Sequence, residues 1–136
     1  MVPYLEDEVN AFIGGMDSLD DGIKALSSMI NRFNRASLYI GVGPNGRMLG
    51  IDIPKGIDRI IFERMEEKLN HMPKVSVNIL TEGGVSCIRV YAEGYETPYA
   101  YEGWFYGRKC SRRKDPESGE VVTEWKATLT CGMKRH

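Results

Sequence analysis

The stretch LYIGVGPNGRMLG, residues 38–50, contains Gly41, Gly43 and Gly46 at the G-x-G-x-x-G spacing of a dinucleotide-binding loop. In such a loop a helix begins directly after the glycines, because its N-terminal N–H groups bind the pyrophosphate. Here the glycines are followed by RMLGIDIP, an extended pattern that ends at Pro54. This context does not favour a nucleotide site.

The same glycines suit a tight turn. Pro44 presets the φ angle of a turn, and Asn45-Gly46 can adopt positive φ angles. We therefore predict a β-hairpin with strands over residues 37–42 and 47–53, in which Gly41 allows close packing.

Two amphipathic helices flank this hairpin. Apolar residues at steps of three and four predict a helix over residues 18–34, with Ser18 as its cap, and another over residues 56–72, ended by Pro73. Leu26 and Ile60 lie on their apolar stripes and are predicted core residues.

Alternating residues predict further strands over 74–80, 85–93, 104–111 and 121–131, with loops over 94–103 and 112–120. The order of elements indicates an α+β fold in which two helices pack on a mixed β-sheet.

The composition excludes several functional classes. Eighteen basic and nineteen acidic residues leave a net charge of −1, so a nucleic-acid partner would need a local basic patch. Three widely spaced cysteines and two histidines form no zinc motif, and we expect no metal or cofactor. The acidic N-terminus has no long apolar run, which predicts a cytoplasmic protein without a membrane partner.

The sequence resembles a known family in several segments. LYIGVGPNGRMLGIDI, the helix after it, PKVSVNIL and CIRVYAEGYETPYAYEGWFYGRKCSR are similar to the Alba-like domain of Schlafen proteins and of bacterial putative transcriptional regulators described as RecG-like helicase relatives. The resemblance implies an Alba-like domain over residues 1–112. Residues 113–136 depart from the family pattern and are predicted to be a C-terminal strand extension of the same domain that adds a hairpin. The resemblance also implies DNA binding in a regulatory role and makes a homodimer plausible.

The chain departs from that family pattern near its N-terminus. AFI, residues 11–13, stands where the family usually has E-F-K, and RFNRAS, residues 32–37, replaces its glycine-containing turn. Some Schlafen proteins cut RNA with clustered carboxylates, for which the candidates here are Glu6, Glu8 and Asp52. Because Ala11 replaces a family carboxylate, the residues favour a binding domain over a metal-dependent RNase.

A basic cluster follows three aromatic residues near the end of the resemblance. Basic side chains neutralise phosphates and aromatic rings stack on bases. The predicted phosphate contacts are Arg108, Lys109, Arg112, Arg113 and Lys114, with Arg35 and Arg47 as extensions, and the predicted stacking residues are Trp104 and Tyr106.

Two other interpretations stay open at this point. The cations could belong to a solvated loop, with Trp104 and Tyr106 as core or rim residues. The tyrosine-rich segment YETPYAYEGWFY, residues 95–106, could instead bind a protein partner without nucleic acid.

Overall fold

The computed structural model describes residues 2–134, and it describes side chains up to residue 130. The helices are α1 (Leu19–Phe33) and α2 (Ile57–Lys68), and a short 3₁₀ turn (Met16–Ser18) precedes α1. The strands are β1 (Asn10–Ile13), β2 (Arg35–Ile40), β3 (Lys74–Glu82), β4 (Val85–Glu93), β5 (Ala100–Tyr101), β6 (Trp104–Lys114) and β7 (Val121–Lys134).

The strands form two sheets. A four-stranded sheet has the order β1-β2-β4-β3, in which β1 and β2 are parallel and the other pairs antiparallel. An antiparallel sheet of three strands has the order β5-β6-β7. The predicted α+β fold with two helices and a mixed sheet is confirmed, and the C-terminal hairpin forms a sheet of its own.

The core lies between the four-stranded sheet and the two helices. Alternate residues of β2 and β4, including Leu38, Ile40 and Val90, face the buried side chains of α1 and α2. Leu26 is fully buried, as predicted. Ile60 is 42% exposed, so its prediction as a core residue was wrong: Ile57, Ile61 and Met65 are the residues of α2 that are buried.

Helix α1 contacts both sheets. Gly22 allows the helix to lie close to the four-stranded sheet. A Cβ atom at Gly22 would lie 2.6 Å from Cδ2 of Leu38 on β2. Ser18 precedes α1 but makes no side-chain capping hydrogen bond, so that part of the prediction was wrong. The left-handed Asn34 ends the helix, and its side chain donates to the main-chain oxygen of Gly94 at 3.0 Å.

The glycine-rich segment forms a turn without a second strand. The N–H of Gly46 donates to the oxygen of Gly43 at 2.9 Å, but residues 47–53 form only an isolated bridge, between Met48 and Val42, and Val42 lies beyond the end of β2. The predicted strand over 47–53 was therefore wrong. Gly46 has a φ of 80°, and a Cβ there would lie 2.5 Å from the main-chain oxygen of Tyr4. This glycine thus lets the N-terminal segment approach the turn.

Other predicted boundaries shift by a few residues. Strand β6 continues to Lys114, so only residues 115–120 of the predicted loop 112–120 lie outside a strand. Helix α2 ends at Lys68, before the predicted residue 72, and β1 was not predicted at all. Cys131, the last residue of the predicted strand 121–131, lies outside the described side chains.

Candidate nucleic-acid interface

Strands β6 and β7 form a long two-stranded hairpin. Residues from Arg108 to Lys114 pair in regular register with residues from Ala127 to Val121. The turn between them is closed by the N–H of Asp115, which donates to the oxygen of Glu120 at 2.8 Å. Gly119 supplies the positive φ angle, 74°, that this turn requires. We call residues 108–114 and 121–127 the hairpin stem.

The stem is a ribbon with solvent access on both faces. Every residue of β6 from Lys109 to Lys114 is exposed, and the facing residues of β7 are exposed or half-buried. Because side chains alternate along a strand and directly paired residues share a face, the register sorts the stem into two faces.

The first, which we call the Trp125 face, carries no carboxylate. Its members are Arg108, Cys110, Arg112, Lys114, Val121, Thr123, Trp125 and Ala127. Arg112 and Lys114 are exposed there, and neither forms an ion pair within 4 Å in the described part of the chain. Two cations and a tryptophan thus lie together without a competing acid.

The opposite face, which we call the Lys126 face, is partly neutralised by Glu124. The carboxylate of Glu124 lies 2.8 Å from Nε of Arg113 and 3.7 Å from Nζ of Lys126. The hydrogen bond from Arg113 lowers the pKa of Glu124, as expected for a carboxylate paired with cations. Lys109 is the remaining cation of this face.

Arg108 lies at the base of the hairpin and is 4% exposed. Its Nη2 atom donates to the main-chain oxygens of Asp7 and Asn10, both at 3.1 Å, and lies 3.9 Å from the carboxylate of Glu6. Burial lowers the pKa of Arg108, and Glu6 and Asp7 oppose this effect. The guanidinium is therefore occupied within the protein, and Arg108 is withdrawn from the predicted phosphate contacts.

The predicted stacking residues have different surroundings. Tyr106 is half-buried against the core, its ring centroid lies 6.3 Å from that of Tyr101, and Lys24 Nζ lies 5.2 Å from its centroid. This packing withdraws Tyr106 from base stacking. Trp104 is half-buried at the start of β6. Trp125, which sequence reasoning did not select, is half-buried on the stem, with the guanidinium carbon of Arg108 5.5 Å from its ring centroid.

Arg35 and Arg47 are both exposed but are not brought together. Arg35 begins β2, whereas Arg47 belongs to the turn after the other end of that strand. The structure thus separates these two predicted extensions of the basic surface. Arg35 instead lines a pocket that is also lined by Arg89, a residue that sequence reasoning missed.

The candidate carboxylates do not converge on a metal site. Oε2 of Glu6 accepts a hydrogen bond from the Phe12 N–H at 2.9 Å and faces Arg108, while Glu8 and Asp52 are exposed. Within the described residues, no group of three or more His, Cys, Asp or Glu side chains could hold a metal ion.

The tyrosine-rich segment is largely internal. Tyr99 and Tyr101 are buried, while Tyr95 is exposed. Asn31 of α1 holds this segment: its Oδ1 accepts from the Tyr99 N–H at 2.6 Å, and its Nδ2 donates to the oxygen of Tyr106 at 2.9 Å. Two of the tyrosines that suggested a protein-binding face therefore serve the core.

The chain matches no family model, and neither the curated proteins nor the solved structures include one that is found to be similar. The Alba-like resemblance stays a prediction. Neither of the described helices is long and apolar enough to cross a membrane.

Proposed function

We propose that the chain is a regulatory domain that binds nucleic acid, with duplex DNA preferred, through the Trp125 face of the hairpin stem. The observation that carries this proposal is the exposed pair Arg112 and Lys114, which share that face with Trp125 and with no carboxylate. Exposed cations without acidic partners contribute most to the affinity for nucleic acid, because each phosphate that they neutralise releases counterions.

The shape of the stem supports DNA over duplex RNA. A two-stranded β-ribbon fits the major groove of B-DNA, which is about 12 Å wide, whereas the major groove of A-form RNA is too narrow for side chains to read. The resemblance to Alba-like regulatory domains favours the same partner.

The charge distribution limits how the ribbon would dock. The turn at the tip contains Asp115, Glu117 and Glu120, which phosphates repel. The stem, rather than the tip, would therefore contact the phosphates that flank the groove. Lys109, Arg113 and Lys126, on the opposite face, would add weaker long-range attraction.

A binding titration tests this proposal. Labelled duplex DNA, single-stranded DNA and duplex RNA of one sequence are titrated at about 50 mM and 200 mM salt, a range over which phosphate-dominated affinity falls steeply. We expect the tightest binding to duplex DNA, weakening with salt. Failure to bind any of the three at the lower salt would contradict the proposal, as would cleavage of the RNA that depends on Mg²⁺ and on Glu6.

A further inference from the structure

A pocket of about 240 Å³ lies on the face of the four-stranded sheet that points away from the helices. Its polar lining consists of Asn10 on β1, Arg35 and Ser37 on β2, and Arg89 and Tyr91 on β4. The register explains this grouping, since Ser37 pairs with Tyr91 and Asn10 pairs with Ser37.

One guanidinium is held in place at the wall of this pocket. Nε of Arg89 donates to Oγ of Ser37 at 3.1 Å, and its guanidinium carbon lies 5.1 Å from the ring centroid of Tyr91. Its terminal nitrogens make no further hydrogen bond to the described residues, so their N–H donors are free for a ligand.

A second arginine, the exposed Arg35, lines the same pocket. Within residues 2–130, neither Arg35 nor Arg89 lies within 4 Å of a carboxylate oxygen. The nearest acid by register is Glu93, the partner of Arg35, and its Oε1 accepts a hydrogen bond from the Tyr91 hydroxyl at 3.3 Å. Asp7 is a second acid beside the pocket, and its carboxylate accepts from the Val9 N–H at 2.8 Å and from the Asn10 amide. The residues that line the pocket themselves carry two positive charges and no negative one.

We propose that this pocket binds a phosphate group through Arg35 and Arg89. Arginine forks match the oxygens of phosphate, and two guanidiniums balance the charge of a phosphate monoester better than that of one carboxylate. The Ser37 hydroxyl supplies a further polar contact at the same wall, whereas the Asn10 side-chain amide already donates to the Asp7 carboxylate at 2.9 and 3.0 Å. This site lies outside the hairpin stem and does not depend on the proposed function.

Two sources could supply such a phosphate: a free mononucleotide, or a nucleic-acid strand that also contacts the hairpin. Asn10 connects the two regions, because it lines the pocket while its main-chain oxygen accepts from Arg108 at the base of the hairpin. The experiment separates these sources.

The test is an NMR titration at constant ionic strength, in which ¹⁵N-labelled protein receives inorganic phosphate, adenosine 5′-monophosphate or a short DNA duplex. We expect saturable shifts of the Asn10 and Ser37 amides and of the Arg89 Nε–H. Arg35→Gln, at an exposed position, and Arg89→Gln should each weaken that binding at least about tenfold, since charged hydrogen bonds are lost. Arg59→Gln, an exposed control on α2, should leave it unchanged.

Shifts that grow linearly without saturation, or that persist in Arg35→Gln with unchanged affinity, would overturn the phosphate site. Saturation by the mononucleotide supports a free ligand. If only the duplex gives saturable shifts, and these are lost when Arg112 and Lys114 are neutralised, the phosphate in the pocket belongs to a nucleic-acid strand that also contacts the hairpin. If the hairpin fails to bind DNA, the titration with the mononucleotide still tests the phosphate site. Either proposal can therefore fail without the other.

Discussion

The Nη2 atom of Arg108 donates to the main-chain oxygen of Asn10 at 3.1 Å, which joins the base of the β6–β7 hairpin to the edge strand β1 of the other sheet. The same nitrogen donates to the oxygen of Asp7 and faces Glu6. The arginine thus fixes where the hairpin leaves the body of the protein. Arg112 and Lys114, further along the same face, are exposed and have no ion pair within the described residues.

We expect Arg108→Ala to destabilise the fold by roughly 2–4 kcal/mol, because it leaves buried acceptors and the Glu6 carboxylate without their partner. Denaturant unfolding measures this cost. Arg112→Ala is the matched control, two residues further along the same face, and should stay within about 0.5 kcal/mol of the wild type. Equal effects at the two positions would contradict the assigned role of Arg108.

Leu26 and Ile60 were both predicted to lie in the core, but their substitution by alanine should cost different amounts of folding free energy. Leu26→Ala should cost about 2–5 kcal/mol, since it opens a cavity in a closed core. Ile60→Ala should cost less than about 1 kcal/mol, since this side chain is 42% exposed. A large loss at Ile60 would mean that the packing of α2 differs from that described.

Gly22→Ala should destabilise the protein by about 1 kcal/mol, although alanine favours a helix by about that amount. The new methyl group would press on Leu38, and overpacking costs about 1–3 kcal/mol. Leu38→Val removes volume at the contact, so the double variant should be more stable than the sum of the single effects indicates. Stabilisation by Gly22→Ala alone would contradict the close packing of α1 on β2.

The two described cysteines should differ in reactivity. Cys87 is buried, and burial raises the pKa of its thiol, so little thiolate forms near pH 8. Cys110 is exposed on the Trp125 face. In a Cys131→Ser background, iodoacetamide should label Cys110 quickly and Cys87 only in denaturant, as mass spectrometry of the peptides will report. Rapid labelling of Cys87 in the folded protein would argue against its place in the core.

Local signals were enough to predict most elements of the fold. The periodicity of α1 and the alternation of β3 and β4 identified those elements to within about two residues. The error at residues 47–53 arose because an extended, alternating pattern does not reveal whether a strand partner is present. Ile60 was misassigned because only part of the apolar stripe of α2 is buried. How much of the stripe is buried depends on the elements that pack against the helix, and the sequence of the helix does not show this.

The candidate site was only partly predictable for a related reason. Consecutive cations such as Arg108 and Lys109 read as one cluster in the sequence, but strand alternation places them on opposite faces. The burial of Arg108 depends on main-chain oxygens about a hundred positions earlier, which no local pattern encodes. The alternation of residues 121–131 was recognised, and pairing it with that of β6 would have selected Trp125.

The central claim is that DNA contacts the Trp125 face, and two double variants of equal charge change test it most directly. Fluorescence anisotropy with a duplex, measured from about 50 to 200 mM salt, gives the slope of log affinity against log salt for each protein. We expect a wild-type slope between about −2 and −4, at about 0.9 per neutralised phosphate.

Arg112→Gln with Lys114→Gln should reduce the magnitude of that slope by about 2, whereas Lys109→Gln with Lys126→Gln, on the opposite face, should reduce it by less than about 1. Both variants should keep the stability of the wild type, because all four side chains are exposed. Equal losses from the two faces, or an unchanged slope in the first variant, would contradict the account.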